Sequence, residues 1–162
     1  MGEPLLAYNL IQKALADEPT HLRLRQLKGL ALARSGALQR ANELLAALWE
    51  EGHADGETLG LLARTHKDLA LLVRDEEQMA LHQKAAYEIY ATGYRESKRA
   101  GELDDAYYTG INAAAMAFFR NDIDAATAIA TDVEELCEKV LQASNDPARS
   151  YWPQATRAEA AL

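Results

Sequence analysis

Apolar and small residues recur along this chain at intervals of three and four, the spacing that places them on one face of an α-helix. The clearest case is the stretch 76–99, which contains no proline and a single glycine. Within it, Tyr87, Tyr90 and Tyr94 fall on one helical stripe. We therefore predict one long helix there and an all-α chain overall.

A longer period organises the predicted helices into repeats. Gly29 and Ala63 lie 34 residues apart, and each is small enough to let paired helices touch. The next equivalent small residue, Ala114, follows Ala63 after 51 residues, which indicates an insertion of about 17 residues. We predict a single domain, 1–162, that is divided along its length into five repeat units. Their boundaries are 1–21 (partial), 22–55, 56–106 (with the insertion), 107–148 and 149–162 (partial).

Breaking and capping residues mark the expected helix ends. Pro19 stops one helix and Thr20 is a suitable N-cap for the next, while Ser35-Gly36 is typical of a turn. The third hairpin is expected to consist of helices at 107–120 and 123–143, with a stripe of Ala126, Ala130 and Val133 on the second.

The end of the chain carries a further turn signal, Asn145-Asp146-Pro147, after which a new helix is expected to begin near Trp152. The chain thus starts and stops in mid-repeat. A solenoid usually closes with a polar capping helix, whereas this one ends on apolar residues up to Leu162. We expect it to be a segment of a longer protein.

These spacings resemble tetratricopeptide repeats. The small-residue helix Ala7-x3-Ile11 with Pro19, the helix Arg25-x2-Lys28-Gly29-x2-Leu32 and its partner Ala41-x3-Leu45 keep the register of that consensus. The resemblance implies a tetratricopeptide-like right-handed α-solenoid of antiparallel helix hairpins, with about seven to eight helices.

A finer resemblance rests on two segments, Tyr107–Met116 and Tyr151–Ala160. They are similar to the TRAF-binding, tetratricopeptide-like region of the apoptosis signal-regulating kinases and its bacterial relatives. The bacterial relatives also resemble Leu22–Leu27, Ala31–Gly36 and Gly60–Leu69. The resemblance implies a non-catalytic interaction or regulatory region that accompanies kinase, signalling or defence domains.

Composition and charge narrow the partners. The chain has 17 basic and 25 acidic residues, a net charge of −8, which opposes the phosphate neutralisation that nucleic-acid binding requires. It has no apolar run near the length of about 20 residues that a membrane span needs and no signal-peptide pattern. We predict a soluble, cytoplasmic chain with no nucleic-acid or membrane partner. Its one cysteine, Cys137, is expected to be a buried, inert thiol.

Catalytic, metal and cofactor motifs are not found in the sequence. His21, His53, His66 and His82 are too far apart to form a pair on one helix. The pair of acids in Asp122-Ile-Asp124 lacks the glycine and glutamate of a calcium loop, so a helix N-cap is the better interpretation. We predict no enzyme activity, no cofactor and no metal.

The repeat register assigns candidate partner-binding residues to the inner face of the first helix of each repeat. We expect that groove to run from basic to apolar and aromatic, which suits an acidic-apolar peptide or partner helix. The competing interpretation is that the arginines are a solvated face and the aromatics pack on the tyrosine-striped helix. The candidates are Arg23, Gln26, Arg34, Arg64, Lys67, Tyr108, Ile111, Asn112, Phe118 and Phe119.

Asn112 lies in an apolar helix, so its amide needs hydrogen-bond partners. A bond to a neighbouring helix end competes with a ligand contact. At the level of the chain, a scaffold that binds a protein or peptide partner competes with an intramolecular module that controls neighbouring effector domains. Exposed aromatics at Tyr108, Phe118 and Phe119 would favour the first, and an apolar patch at the chain ends near Ala7, Trp152 and Leu162 the second. Self-association through the chain ends is a third hypothesis.

Overall fold

The computed structural model describes residues 3–143 and 147–161, and the regular structure in these ranges is entirely helical. Eight helices are found there, which confirms the all-α prediction of seven to eight. In chain order, α1 to α8 are Pro4–Asp17, Leu22–Arg34, Leu38–Glu50, Gly56–Leu72, Glu76–Ala100, Leu103–Phe119, Ile123–Ala143 and Pro147–Ala160.

The helices pack in the order in which they occur. Neighbours in sequence contact each other in the series α1 to α4 and again in the series α6 to α8. In addition, α2 touches α4 and α6 touches α8, which is the pattern of stacked hairpins in a helical solenoid. Two compact units, 1–82 and 83–162, divide within α5.

The long helix predicted at 76–99 is confirmed by α5, Glu76–Ala100. Tyr90 and Tyr94 of its predicted stripe are buried. The helix stops at Gly101, whose φ of +77° is unfavourable for residues with a Cβ. None of the described helices combines the length and apolar character needed to cross a bilayer.

Three predicted helix starts are wrong. The N-cap of α2 is His21, whose Nδ1 accepts a hydrogen bond from Leu24 N at 3.4 Å, and not Thr20. Helix α6 begins at Leu103 rather than 107, because the chain re-enters the helix directly after the Gly101 turn. Helix α8 begins at Pro147 rather than near Trp152. Met1, Leu162 and the turn residues Asn145 and Asp146 lie outside the described residues.

In the first unit, α2, α3 and α4 share an apolar core that includes Leu32, Leu45 and Leu62. A Cβ on Gly29 would lie 2.9 Å from Leu45 Cγ, so the predicted need for a small residue there is confirmed. By contrast, α1 has no buried residue, and its leucines are largely exposed.

In the second unit, α5, α6 and α7 enclose one apolar cluster. Its buried members are Tyr94, Ala106, Tyr107, Ile111, Val133, Leu136 and Cys137. Cys137 is completely inaccessible, as predicted, and burial raises the pKa of its thiol to about 11. The predicted N-cap is confirmed as well, because Asp122 Oδ1 accepts a hydrogen bond from Ala125 N at 3.2 Å.

Candidate partner-binding surface

A shallow hollow lies between α2 and α4 in the first unit. Its volume is about 50 Å³, which is room for the tip of one side chain. Half-buried Leu30 and Leu61 form apolar walls, while Arg34, Arg64 and Asp68 supply charge. Gly29 and Ala33 on α2 have small side chains, so the space between α2 and α4 is incompletely filled and the hollow remains.

The arginines around this hollow differ in how far they are already paired. Arg34 is exposed and forms no ion pair with any other described residue. Arg64 faces Asp68 of its own helix at 3.8 Å, a distance that leaves the pairing weak. Arg23 makes a closer pair with Glu57 at 2.7 Å. Arg34 is therefore the cation best able to receive a carboxylate from outside.

Gln26 is buried and belongs to the packing of the first unit. Its Nε2 donates to Thr58 Oγ1 at 2.9 Å and to Asp55 Oδ1 at 3.0 Å. Asp55 is also the N-cap of α4, where it accepts from Thr58 N at 3.0 Å. Gln26 thus joins the middle of α2 to the start of α4. Lys67, half-buried on α4, does not line the hollow.

A wider depression of about 460 Å³ lies between α1, α2 and α3. Both of its cations are already engaged: Arg25 pairs with Glu51, and Lys28 Nζ lies 5.9 Å from the centre of the Tyr8 ring. Pairing with Glu51 raises the pKa of Arg25. This depression therefore offers less to a charged partner than the α2–α4 hollow.

In the second unit, α6 exposes Tyr108 near its start and an aromatic patch formed by Phe118 and Phe119 at its end. The side chains of Tyr108, Phe118 and Phe119 are 44%, 60% and 61% exposed, so a large part of each ring faces solvent. Phe118 and Phe119 meet edge to face, with ring centroids 6.2 Å apart. Exposed aromatics of this kind mark contact surfaces more often than scattered single apolar residues do.

The other two candidates on α6 have different surroundings. Ile111 is buried in the core cluster of the second unit, so the aromatic patch does not include it. Asn112 is half-buried, and its Nδ2 donates to Tyr108 O at 2.9 Å. This bond goes to the backbone of its own helix, to the carbonyl four residues back.

Comparison with known families decides the classification. The family model described as Tetratricopeptide Repeats-Sensor matches residues 5–117. The chain belongs to this family. No curated protein and no solved structure matches the chain. The match confirms the tetratricopeptide type predicted from the 34-residue period.

For a Tetratricopeptide Repeats-Sensor chain, the helical hairpins and their surfaces are the expected working parts. Repeats of the tetratricopeptide type generally mediate protein–protein contacts or regulatory sensing, and they are typically non-catalytic. The matched residues contain α2 to α5 and almost all of α1 and α6, so they include the α2–α4 hollow. The match ends at residue 117, just before Phe118 and Phe119.

One cluster was missed by the sequence analysis. His66 on α4 and His82 on α5 lie side by side, with their Nδ1 atoms 3.0 Å apart. Burial, and secondarily the charge of His82, lowers the pKa of His66 to about 4. The spacing of histidines along a single helix does not reveal a pair that forms between two helices. No local sequence pattern signals such a pair, because it depends on how α4 and α5 are positioned across the turn between them.

Proposed function

We propose that this Tetratricopeptide Repeats-Sensor chain is a protein-interaction module that binds an acidic and apolar segment of a partner at the α2–α4 hollow. The observation that carries the proposal is Arg34, an exposed arginine beside the leucine-walled hollow that makes no ion pair within the described part of the chain. A carboxylate of the partner would pair with Arg34, and an adjacent apolar side chain would occupy the space between Leu30 and Leu61.

Electrostatics restrict how such a partner would be recognised. The chain carries a net charge of −8, so its overall field does not attract an acidic segment. Recognition would depend on short-range pairing with Arg34 and, after displacement of Asp68, with Arg64. The aromatic patch on α6 is a second proposed contact surface, for apolar side chains.

The test is a selection of peptides from a random display library on the 162-residue chain, followed by affinity measurements on the selected peptides. We expect enrichment of Asp or Glu next to an apolar residue. Arg34→Glu should weaken binding by about 10- to 100-fold, the loss expected for one charge-assisted hydrogen bond. Arg40→Glu is the matched control, because Arg40 is exposed on α3 and makes no ion pair with another described residue.

The proposal fails if the selected peptides lack acidic residues, or if Arg34→Glu and Arg40→Glu weaken binding equally. Circular dichroism of both variants must first show unchanged helicity. Binding that persists in Arg34→Glu and depends on Phe118 and Phe119 would move the contact to α6.

A second candidate function is an intramolecular regulatory module that packs on effector domains. The exposed leucines of α1, Leu5, Leu6 and Leu10, and the exposed pair Tyr151 and Trp152 on α8 favour it. The likeness to the kinase TRAF-binding region belongs to this proposal, as do a signalling or defence role and a cytoplasmic setting. Failure to select any peptide on the isolated chain would favour this candidate over the first.

A further inference from the structure

Two histidines meet in the first unit where α4 faces the first turns of α5. His66 and His82 are each half-buried, and their ring centroids are 5.2 Å apart with planes tilted by 44°. The 3.0 Å separation of the two Nδ1 atoms is short enough for one nitrogen to donate a hydrogen bond to the other. The two Nδ1 atoms are therefore direct neighbours in the structure.

The separation also matches a pair of ligands on one metal ion. Two imidazole nitrogens bound at about 2.0–2.1 Å and at angles of about 90–109° are about 2.9–3.4 Å apart. We propose that His66 and His82 form a two-imidazole site for a divalent late first-row transition metal, Cu²⁺, Ni²⁺ or Zn²⁺. Imidazole suits these ions, whereas Mg²⁺ and Ca²⁺ require oxygen ligands.

The number of protons on the two imidazoles allows a metal ion to replace the hydrogen bond between them. In the hydrogen-bonded pair of neutral imidazoles, one Nδ1 carries a proton and the other a lone pair. Moving that proton to Nε2 of the same ring leaves two Nδ1 lone pairs for the metal, with no net deprotonation. Both side chains retain some solvent exposure, so an ion can enter and water can complete its coordination.

In the proposed site, the protein supplies two ligands to the metal ion. The described part of the chain contains no group of three or more His, Cys, Asp and Glu side chains arranged for a metal. The bound ion would fasten α4 to the start of α5 and stabilise the native chain in proportion to its free concentration. This site is independent of the proposed partner contact at Arg34.

The first experiment measures the thermal midpoint Tm of the 162-residue chain, without a histidine tag, in the presence of each metal. A tenfold excess of free metal over its Kd should raise Tm by about 3–6 °C. Cu²⁺ should act at the lowest concentration, and Mg²⁺ should have no effect. Electron paramagnetic resonance of one equivalent of Cu²⁺ should show hyperfine coupling to two imidazole nitrogens.

Three variants distinguish metal binding at this site from nonspecific metal binding at the surface. His66→Gln and His82→Gln should each abolish the rise in Tm, while His53→Gln, which removes a histidine of the same unit outside the pair, should keep it. A wild-type chain without a rise in Tm, or a rise that survives both pair variants, would overturn the proposal. If either pair variant fails to fold, the two-nitrogen Cu²⁺ spectrum of the wild type decides, and its absence refutes the site.

Discussion

Gly110 on α6 occupies the tightest helix contact in the second unit. A Cβ built there would lie 2.5 Å from Val133 Cγ2 on α7 and 2.9 Å from Tyr94 Cδ2 on α5. A Cβ at this position would clash with both side chains, so both would have to shift to admit it. Sterics therefore require a glycine at position 110.

The substitution Gly110→Ala should destabilise the chain. Overpacking a core costs about 1–3 kcal/mol, and the higher helix propensity of alanine offsets up to about 1 kcal/mol of this. We expect a net loss of about 1–2 kcal/mol in the free energy of unfolding, measured by urea denaturation. Gly93→Ala is the control, since its Cβ meets only the Thr109 methyl at 3.2 Å and should change stability by less than about 0.5 kcal/mol. Equal effects of the two substitutions would contradict the steric account.

At the scale of helices, the sequence was informative about the elements and less so about their ends and mutual contacts. Residue spacing was enough for α5 and α7, because long uninterrupted periodicity and clear breakers define them. The start of α6 was misjudged because Glu102, the residue before it, makes no side-chain cap bond that a sequence pattern would reveal. The histidine pair depends on the register of two helices across a turn, which local patterns do not determine.

The candidate surface was predictable to a similar degree. Arg34 and Arg64, which the repeat register assigned to one face, both line the α2–α4 hollow, because that register fixes which side of α2 faces α4. It could not separate Gln26 and Ile111 from their exposed neighbours. Whether a residue at the edge of a helix face is buried depends on the side chains of the adjacent helix, here Thr58 and Val133.

The side chain of Gln26 connects α2 to the start of α4, so its removal should destabilise the packing of these two helices. Gln26→Ala removes the donor shared by Thr58 and Asp55 and leaves the buried Thr58 Oγ1 without it, so the free energy of unfolding should fall by about 1–3 kcal/mol. Gln39→Ala is the matched control: Gln39 is exposed and, among the described residues, its side chain bonds Glu43 of its own helix, and the change should stay below about 0.5 kcal/mol. Denaturation and peptide affinity should be measured together. Weaker peptide binding without a loss of stability would contradict this structural role and would indicate that Gln26 contacts the partner.

Across the whole molecule, the family match and the hydrophobic core do not end at the same place. The Tetratricopeptide Repeats-Sensor match stops at residue 117, whereas the core cluster of the second unit also contains Val133, Leu136 and Cys137 from α7. Each of these three side chains is at most 3% exposed. The matched residues alone therefore cannot bury the apolar faces of α5 and α6, and α7 is an obligatory part of the second unit.

A chain that ends after Phe119 keeps every matched residue and tests this argument. Loss of three buried side chains, each worth about 1.5–3 kcal/mol, approaches the total stability of about 5–15 kcal/mol typical of a domain. We expect residues 1–119 to lose more helical circular dichroism than the deleted helices account for and to bind a dye for exposed apolar surface. A chain ending after Ala143, which lacks only α8, should retain the helicity of α5 to α7, because the cluster of buried residues stays whole. Proportional helicity and sharp cooperative unfolding of residues 1–119 would show that the matched segment folds without α7.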